Sequence, residues 1–424
     1  MRNVGRLAVG ILELARTQGV KQADIWIESA EKVTYHSDPL RILHQTRRDA
    51  VAALRVADGF RVGAAQTNQI TESAIQSLVD QAKQSALRTA DGPGLILNNT
   101  SVDPISNEQE IDLTSWVTSI PEDLEVRPIV RLDGITTSVA FGNSSGVLST
   151  FKKSHFQLAV ESRGSGERCR RLWTATSLSD LPSFSTAVDE TRRWLGHSKI
   201  RNLQLPSSIT FVLTSHAAGR FLETVSAMFS GELRDQSSLH LGESVAIDQL
   251  NITDDPTDFS SPGGVPFDGE GTPTRRLNVI QNGVFANRMQ NLESARFFQT
   301  VSTGHARRTL PTVPTIGAHQ WRMSPGNAAP DSLWCQLPMG LLVTDLDEIT
   351  LDAGSGRISM PVDAIVVQGG VLEGRAGGIV AEGIVQDWLK AISGMGNDVS
   401  QSGRFLAPTL RIENVTIRGG QAPS

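Results

Sequence analysis

No histidine in this 424-residue chain is followed by glutamate, and no two of its eight histidines lie within six positions of each other. A metal-binding helix presents two imidazoles on one face at short spacing, with a carboxylate beside the first to activate water. His36, His44, His155, His197, His216, His240, His305 and His319 contain no such pair. Cysteine is nearly absent as well. Cys169 and Cys335 are the two, neither in a CxxC, which argues against a disulfide framework or a cysteine-rich zinc knuckle and fits a reducing compartment. Basic surplus is missing: the net charge is −6, so a broad field for phosphate neutralisation is lacking, and no direct nucleic-acid contact is expected. The small cluster Arg168, Arg170 and Arg171 reads as a solvated strand edge. No run is apolar enough to span a bilayer and no signal peptide is read, so the expectation is a cytoplasmic protein with no membrane partner. A phosphate-cradling G-x-x-x-x-G-K-[ST] loop is also lacking.

What is there is glycine, 38 residues of it, against 5% aromatics, a composition of tight turns and β structure. The length suits two or three domains. Val4, Leu7, Ala8, Ile11, Leu12 and Leu14 fit an amphipathic opening helix. Strands are read at 23–28, 41–45, 50–56 and 61–66, the last two joined across Asp58-Gly59, where both central residues of the turn would need positive φ. Thr71 starts a helix with Ala74, Ile75, Leu78, Val79, Ala82 and Ala86 on one face. The pattern fades over 91–125 apart from a short helix at 113–120, then resumes with strands at 126–132, 136–141, 155–161 and 172–178 and a helix at 184–195. A strand at 208–213 feeds a helix at 216–229. Asn282-Gly283 and Gly369-Gly370 are hairpin turns, 379–392 contains a helix, and 409–417 is a closing strand. The fold class expected is α+β: an N-terminal helix-plus-antiparallel-sheet domain (1–90), a variable linker and β-rich region (91–205), and a β-rich C-terminal domain with a few helices (206–424).

Metal ligands can also converge from distant segments. His216, His305 and His319 with Glu223 are the best such set, although hydrogen-bonded structural histidines are the commoner outcome. A serine-hydrolase reading finds no nucleophile elbow; Ser165 falls in a strand-joining turn. The segment from Pro266 to Arg276 carries Asp268 and Glu270. These are either an acid/base pair or turn carboxylates that accept backbone N–H bonds and pair with Arg275 or Arg276, and the turn reading is preferred. Ser302-Thr303-Gly304-His305 is a similar polar glycine turn.

These segments carry a resemblance. Phe267-Asp268-Gly269-Glu270-Gly271-Thr272-Pro273-Thr274-Arg275-Arg276, the Asn282-Gly283 hairpin, Ser294-Ala295-Arg296 and Ser302-Thr303-Gly304-His305-Ala306 come in the order typical of the TldD/PmbA family. Gly340-Leu341-Leu342-Val343-Thr344, Gly396-Asn397-Asp398 and, near the N-terminus, Arg55, Asp58, Gly59, Gly63 and Thr67 add to it. The family is also labelled a modulator of DNA gyrase. The resemblance implies a two-domain chain pairing through its C-terminal half. Of two homologous subunits, the TldD type carries HExxxH plus a distant cysteine as zinc ligands, and the PmbA (TldE) type lacks them. Peptide is held as an added strand.

Here the histidine slots fall on Glu223 and Met228, the glutamate slot on Thr224, and the cysteine slot near Ser402 and Gly403. The chain thus resembles the PmbA side. The resemblance leads to the expectation of a non-catalytic subunit, without zinc of its own, that acts in the proteolysis of unfolded or precursor peptides. Its expected partner is a zinc-bearing TldD-type chain, or a second copy of itself. Asp268, Glu270, Arg275, Ser302, Thr303, Gly304 and His305 are the expected cleft-lining residues. A stand-alone hydrolase with a rebuilt site and a non-proteolytic adaptor are the competing expectations.

Overall fold

The computed structural model describes residues 3–121, 128–164, 167–196, 204–308, 313–346 and 348–419. The first helix, α1 (Val4–Thr17), is capped by Asn3, whose side chain accepts the Gly5 and Arg6 N–H groups, and it buries Ala8, Ile11 and Ala15. Thr71 likewise caps α2 (Glu72–Arg88), which buries Leu78, Val79, Ala82 and Ala86. Both stripes pack on one sheet. Its strands are β1 (Gln22–Ser37), β2 (Ile42–Asp58), β3 (Arg61–Thr67), β4 (Ile105–Asn107), β5 (Ile129–Asn143), β6 (Leu148–Gly164) and β7 (Glu167–Ala175). The order is β3-β2-β1-β5-β6, with β7 and the short parallel β4 sharing the far edge of β6. Two further helices, α3 (Thr114–Val117) and α4 (Phe184–Arg192), cover its far end through Trp116, Phe184, Ala187 and Val188.

The boundary expected at residue 90 falls inside this single sheet. One edge of β1 pairs with β2 and the other with β5, from Asp24 opposite Asn143 to Ser37 opposite Val130. Periodicity finds pieces of most strands but not their partners: β2 and β5 each read as two strands and β4 is not read, so the sequence divided what hydrogen bonding joins. The β2–β3 turn also differs from expectation. Asp58 pairs with Arg61, so the two-residue loop is Gly59-Phe60 with positive φ at Gly59 alone, the geometry that needs glycine only at the first position. The Asn282-Gly283 turn, with φ of 50° and 73°, and the Gly369-Gly370 turn, with 56° and 77°, do need positive φ at both.

The second unit begins with β8 (Ser208–Leu213) and α5 (Ser215–Val225). Short strands come next: β9 (Ile252–Asp254), β10 (Leu277–Gln281), β11 (Val284–Phe285), β12 (Ala306–Arg307), β13 (Thr315–Ile316) and β14 (Trp321–Met323), with α6 (Leu292–Phe297) among them. The remaining strands are β15 (Met339–Val343), β16 (Thr350–Asp352), β17 (Arg357–Gln368), β18 (Val371–Ile384), β19 (Ile392–Ser402) and β20 (Phe405–Gly419), with α7 (Val385–Lys390) between β18 and β19. β20, β18, β17, β15 and β8 pair in turn, and β8 pairs back with β20, which closes a barrel and removes free edges. The core fills with Phe211, Phe221, Phe229, Phe285, Trp321 and Leu410. The α+β class is as expected, and among the described residues no helix is long and apolar enough to cross a membrane.

The two units meet on the sheet face opposite α1 and α2. On β1, Ile25 and Ile27 point to the helices, so Asp24, Trp26 and Glu28 share the other face by strand alternation. The loop 266–273 lies against that face. Gly271 has φ of 74°, and a Cβ there would stand 2.2 Å from the Phe141 ring, while its carbonyl accepts from Asn98 Nδ2 at 2.7 Å. Gly271→Ala combines left-handed strain with overpacking. It is expected to lower stability by about 2–4 kcal/mol in urea unfolding, and a loss under about 0.5 kcal/mol would show that the loop is not fixed there.

Candidate functional site

A cleft of about 260 Å³ opens where the sheet face meets the second unit. Trp26, Val139 and Phe151 form its wall on the first side, with Phe267 and Val265 on the second. Asp268 lies in its floor, and Glu270 follows two residues on in the same loop. Asp268 Oδ1 accepts the Glu270 and Thr272 N–H groups at 2.8 and 2.9 Å, and Oδ2 accepts the Ala306 N–H at 3.0 Å. One side chain thus ties the 266–273 loop to the 302–307 segment. Glu270 Oε2 accepts the Leu292 N–H at the start of α6, at 2.8 Å, and its Oε1 lies 3.9 Å from the Arg55 guanidinium.

Behind this floor lies a charge cluster that crosses the interface. Asp24 of β1, 1% exposed, takes Arg55 of β2 in a two-pronged contact and Arg308 of the second unit at 2.9 Å. Arg308 also donates to the Gly269 carbonyl at 2.7 Å. Burial works to raise the Asp24 carboxyl, yet the two guanidiniums hold it below its ordinary range. Burial and the neighbouring Glu270 push Asp268 up to about 8, and burial raises Glu270 against the pull of Arg55. Both Asp268 oxygens are committed to backbone donors, so the arrangement is a staple between segments rather than an acid/base pair presented to a substrate.

The expected polar turn is a second staple. Thr303 Oγ1 accepts the Gln290 N–H at 2.7 Å, Ser302 Oγ donates to the Gln290 carbonyl and accepts the Gly304 N–H, and His305 Nδ1 donates to the Thr303 carbonyl at 2.9 Å. His305 Nε2 lies 3.2 Å from the buried Asp254, which also accepts the His319 and Gln320 N–H groups. His319 Nε2 donates to the Gly304 carbonyl at 2.8 Å, and the two rings stand 5.3 Å apart. Burial pulls His319 down to about 4, against the nearby Asp254. A histidine depressed in the fold contributes stability above its unfolded pKa of about 6.5 that is lost as pH falls toward 4. From pH 7 to pH 5 the loss at His319 is expected to be about 2 kcal/mol. Urea titrations at the two pH values check it, since His319→Gln should flatten that difference.

Of the expected cleft residues, Asp268 lines the cleft; Glu270, Ser302, Thr303, Gly304 and His305 are tied into the segments beside it without lining it, and Arg275 is exposed. Arg276 sits 3.7 Å from Asp255, so the guanidinium beside the carboxylate loop is Arg55, not Arg275 or Arg276. The distant ligand set is not assembled. His216 faces Asp345 at 3.4 Å at the start of α5, Glu223 is paired with Arg220 at 2.6 Å, and both ring nitrogens of His305 face protein acceptors. Among the described residues no group of three or more His, Cys, Asp and Glu could hold a metal ion.

The slots on and beside α5 do not fit zinc either. Thr224 Oγ1 donates back to the Arg220 carbonyl, Met228 is 1% exposed in the core, and Ser402 is buried against Gly219. Only Glu223 offers a ligand oxygen. The stretch Gly142-Asn143-Ser144-Ser145-Gly146 has the nucleophile-elbow spacing, contrary to the sequence reading. It is the β5–β6 turn, and Ser144 Oγ accepts the Ala23 N–H there, with no helix after it. Arg171, expected at a solvated edge, is buried and lines a second pocket with Trp173, Trp194 and Trp334; Arg168 and Arg170 do face outward.

Sequence reasoning missed Trp26, Glu28, Lys153, His155, Arg307 and Arg404 at the cleft. The legible signal was the second face of β1, where Asp24 and Glu28 alternate with core isoleucines. Burial raises Glu28, lowers Lys153 to about 8 and lowers His155 to about 4. Lys153 Nζ donates to the Ser261, Pro262 and Gly264 carbonyls at 2.5, 3.2 and 2.7 Å, and so fixes the rim.

Comparison with known proteins bears on this architecture. Residues 206–419 match the family described as the PmbA/TldA metallopeptidase C-terminal domain. Metalloprotease PmbA of Escherichia coli O157:H7 is 27% identical over 285 residues, 64% of this chain and 61% of that protein. A PmbA homologue of Haemophilus influenzae is 23% identical over 405 residues, 88% of this chain and 86% of its own length. The chain therefore matches less than two thirds of the E. coli relative and most of the Haemophilus one. Among solved structures, TldE of Thermococcus kodakarensis superposes with a TM-score of 0.79 at 17% identity, over 97% of this chain and 100% of that one. A candidate modulator of DNA gyrase from Bacteroides thetaiotaomicron gives 0.80 at 18% identity, over 99% of each chain. At these identities the superpositions establish the fold.

Proposed function

The chain belongs to the PmbA/TldD family of metallopeptidase-related proteins, and from that premise we propose that it is a non-catalytic, TldE-like subunit. It carries no zinc, pairs with a zinc-bearing TldD-type chain, or with a second copy of itself, and helps to enclose an unfolded or precursor peptide. The observation that carries the reading is the chemistry of the slots. A zinc peptidase needs several nitrogen, sulfur or oxygen ligands on one ion. The slots here hold one ion-paired glutamate, a threonine bonded to its own helix, a core methionine and a buried serine.

The competing hydrolase reading rests on Asp268 and Glu270. It is disfavoured because those carboxylates are at most 5% exposed and tie backbone segments together. A DNA-linked role would accord with the gyrase-modulator name of the structural neighbour, but a net charge of −6 supplies no field for duplex phosphates. The proposed setting is cytoplasmic. Co-purification of the native chain, with metal analysis of what comes with it, tests the reading. The expected result is an HExxxH-bearing homologue, with zinc present only when that homologue is. Stoichiometric zinc on the isolated chain would overturn it.

A further inference from the structure

We propose that the cleft between the two units is a receptor for a peptide carboxylate, with Arg404 as the group that takes it. The idea of a peptide rests on the function proposed above; the carboxylate chemistry rests on the cleft alone. Arg404 comes two residues after Ser402, in the turn between β19 and β20, and lines the cleft. Among the described residues no carboxylate or carbonyl pairs with its guanidinium. Burial lowers its pKa, and the charges it feels are those of Glu223 and Asp254. Those two acids are already engaged, Glu223 by Arg220 and Asp254 by His305 and two backbone N–H groups. A largely buried cation without a partner is costly, and a planar guanidinium meets a carboxylate through two parallel hydrogen bonds.

The neighbouring cations are engaged in a way that leaves Arg404 as the donor. Lys153 is held by three carbonyls, Arg307 donates to the Ala318 carbonyl at 2.6 Å, and Arg308 is committed to Asp24. All still contribute positive potential. Glu28 and Asp268 are the acids of the lining, and burial raises both toward the neutral form. The apolar walls, Trp26, Val139, Phe151 and Phe267, suit a hydrophobic side chain beside the anion. A volume of about 260 Å³ is below the ~300–1,000 Å³ of pockets that take drug-sized ligands. It has room for one or two residues of a chain. The ligand is therefore a carboxylate next to an apolar group. It can be the terminus of a peptide ending in an aromatic or aliphatic residue, or an acidic side chain next to such a residue.

The test uses the full chain, alone and together with whatever family partner co-purifies, and fluorescence anisotropy of N-terminally labelled Gly-Gly-Phe. The free acid is expected to bind at least about tenfold more tightly than the C-terminal amide. Arg404→Gln should erase that difference with a thermal midpoint no lower than that of the parent chain, since it removes an unpaired buried charge, and Arg404→Lys should restore part of it. The amide of Gly-Glu-Phe separates the two sources: binding as tight as the free acid assigns the site to an acidic side chain, and weak binding assigns it to the terminus. Equal binding of the Gly-Gly-Phe acid and the Gly-Gly-Phe amide overturns the proposal, as does an undiminished preference in Arg404→Gln or no binding in either setting. Pairing is read separately by co-purification. A chain that binds the acid but has no zinc-bearing partner keeps the receptor and loses the subunit reading.

Discussion

Incubated alone with an unstructured peptide, the chain is expected to leave it intact, and cleavage is expected to appear only when an HExxxH-bearing homologue is added. The reason lies in side chains, not in overall shape. Restoring Glu223→His, Thr224→Glu and Met228→His supplies two imidazole ligands and a water-activating carboxylate on α5 and the turn that follows it, but Ser402 leaves the third protein ligand, a sulfur, missing. Weak zinc binding at most is expected from that triple variant, since metal affinity depends on the complete ligand set. Met228 is 1% exposed, so placing an imidazole there should also cost about 1–3 kcal/mol of stability. Adding Ser402→Cys should tighten zinc binding well beyond the triple variant. Zinc titration by calorimetry distinguishes the two, and equal affinity in both would remove Ser402 from the slot assignment. Peptide cleavage by the unmodified chain, free of any partner, would end the silent-subunit account.

The second large effect concerns stability. Asp24→Ala should destabilise the chain by about 3–5 kcal/mol, because it strands Arg55 and Arg308 without their shared carboxylate. Arg308 is fully buried through its side chain and Arg55 is 12% exposed, so water cannot replace what is lost. Breaking one member of a buried cluster costs far more than the cluster is worth as a whole. Asp24→Leu combined with Arg308→Met should therefore recover part of the loss, by removing opposite charges together. Urea unfolding read by tryptophan fluorescence measures both variants. A loss below about 1 kcal/mol in Asp24→Ala would mean that the two units are not joined through this cluster.

Two of the histidines show how far residue type alone misleads. His305 and His319 look like candidates for a metal, yet each ring is turned to backbone carbonyls or to Asp254, so they stabilise a fold of polar turns. His216 lies at the start of α5, beside Asp345 and away from both. Convergence in space is what a metal needs, and spacing along the chain cannot report it.

The α+β class, the amphipathic opening helix, the helix start at Thr71, and the glycine turns at 282–283 and 369–370 were legible in the amino-acid order, because caps, stripes and positive φ are local properties of a few adjacent residues. So was the lack of an imidazole pair on α5. That residues 1–90 and 91–205 form one sheet was not legible, since β1 finds β5 across a hundred residues and the pairing exists only in the folded chain. Folding likewise brings Asp24, Arg55, Glu270 and Arg308 together and turns Arg404 toward a cleft with no carboxylate or carbonyl on its guanidinium among the described residues. Those outcomes depend on burial and on hydrogen-bond partners distant in sequence, which periodicity does not encode.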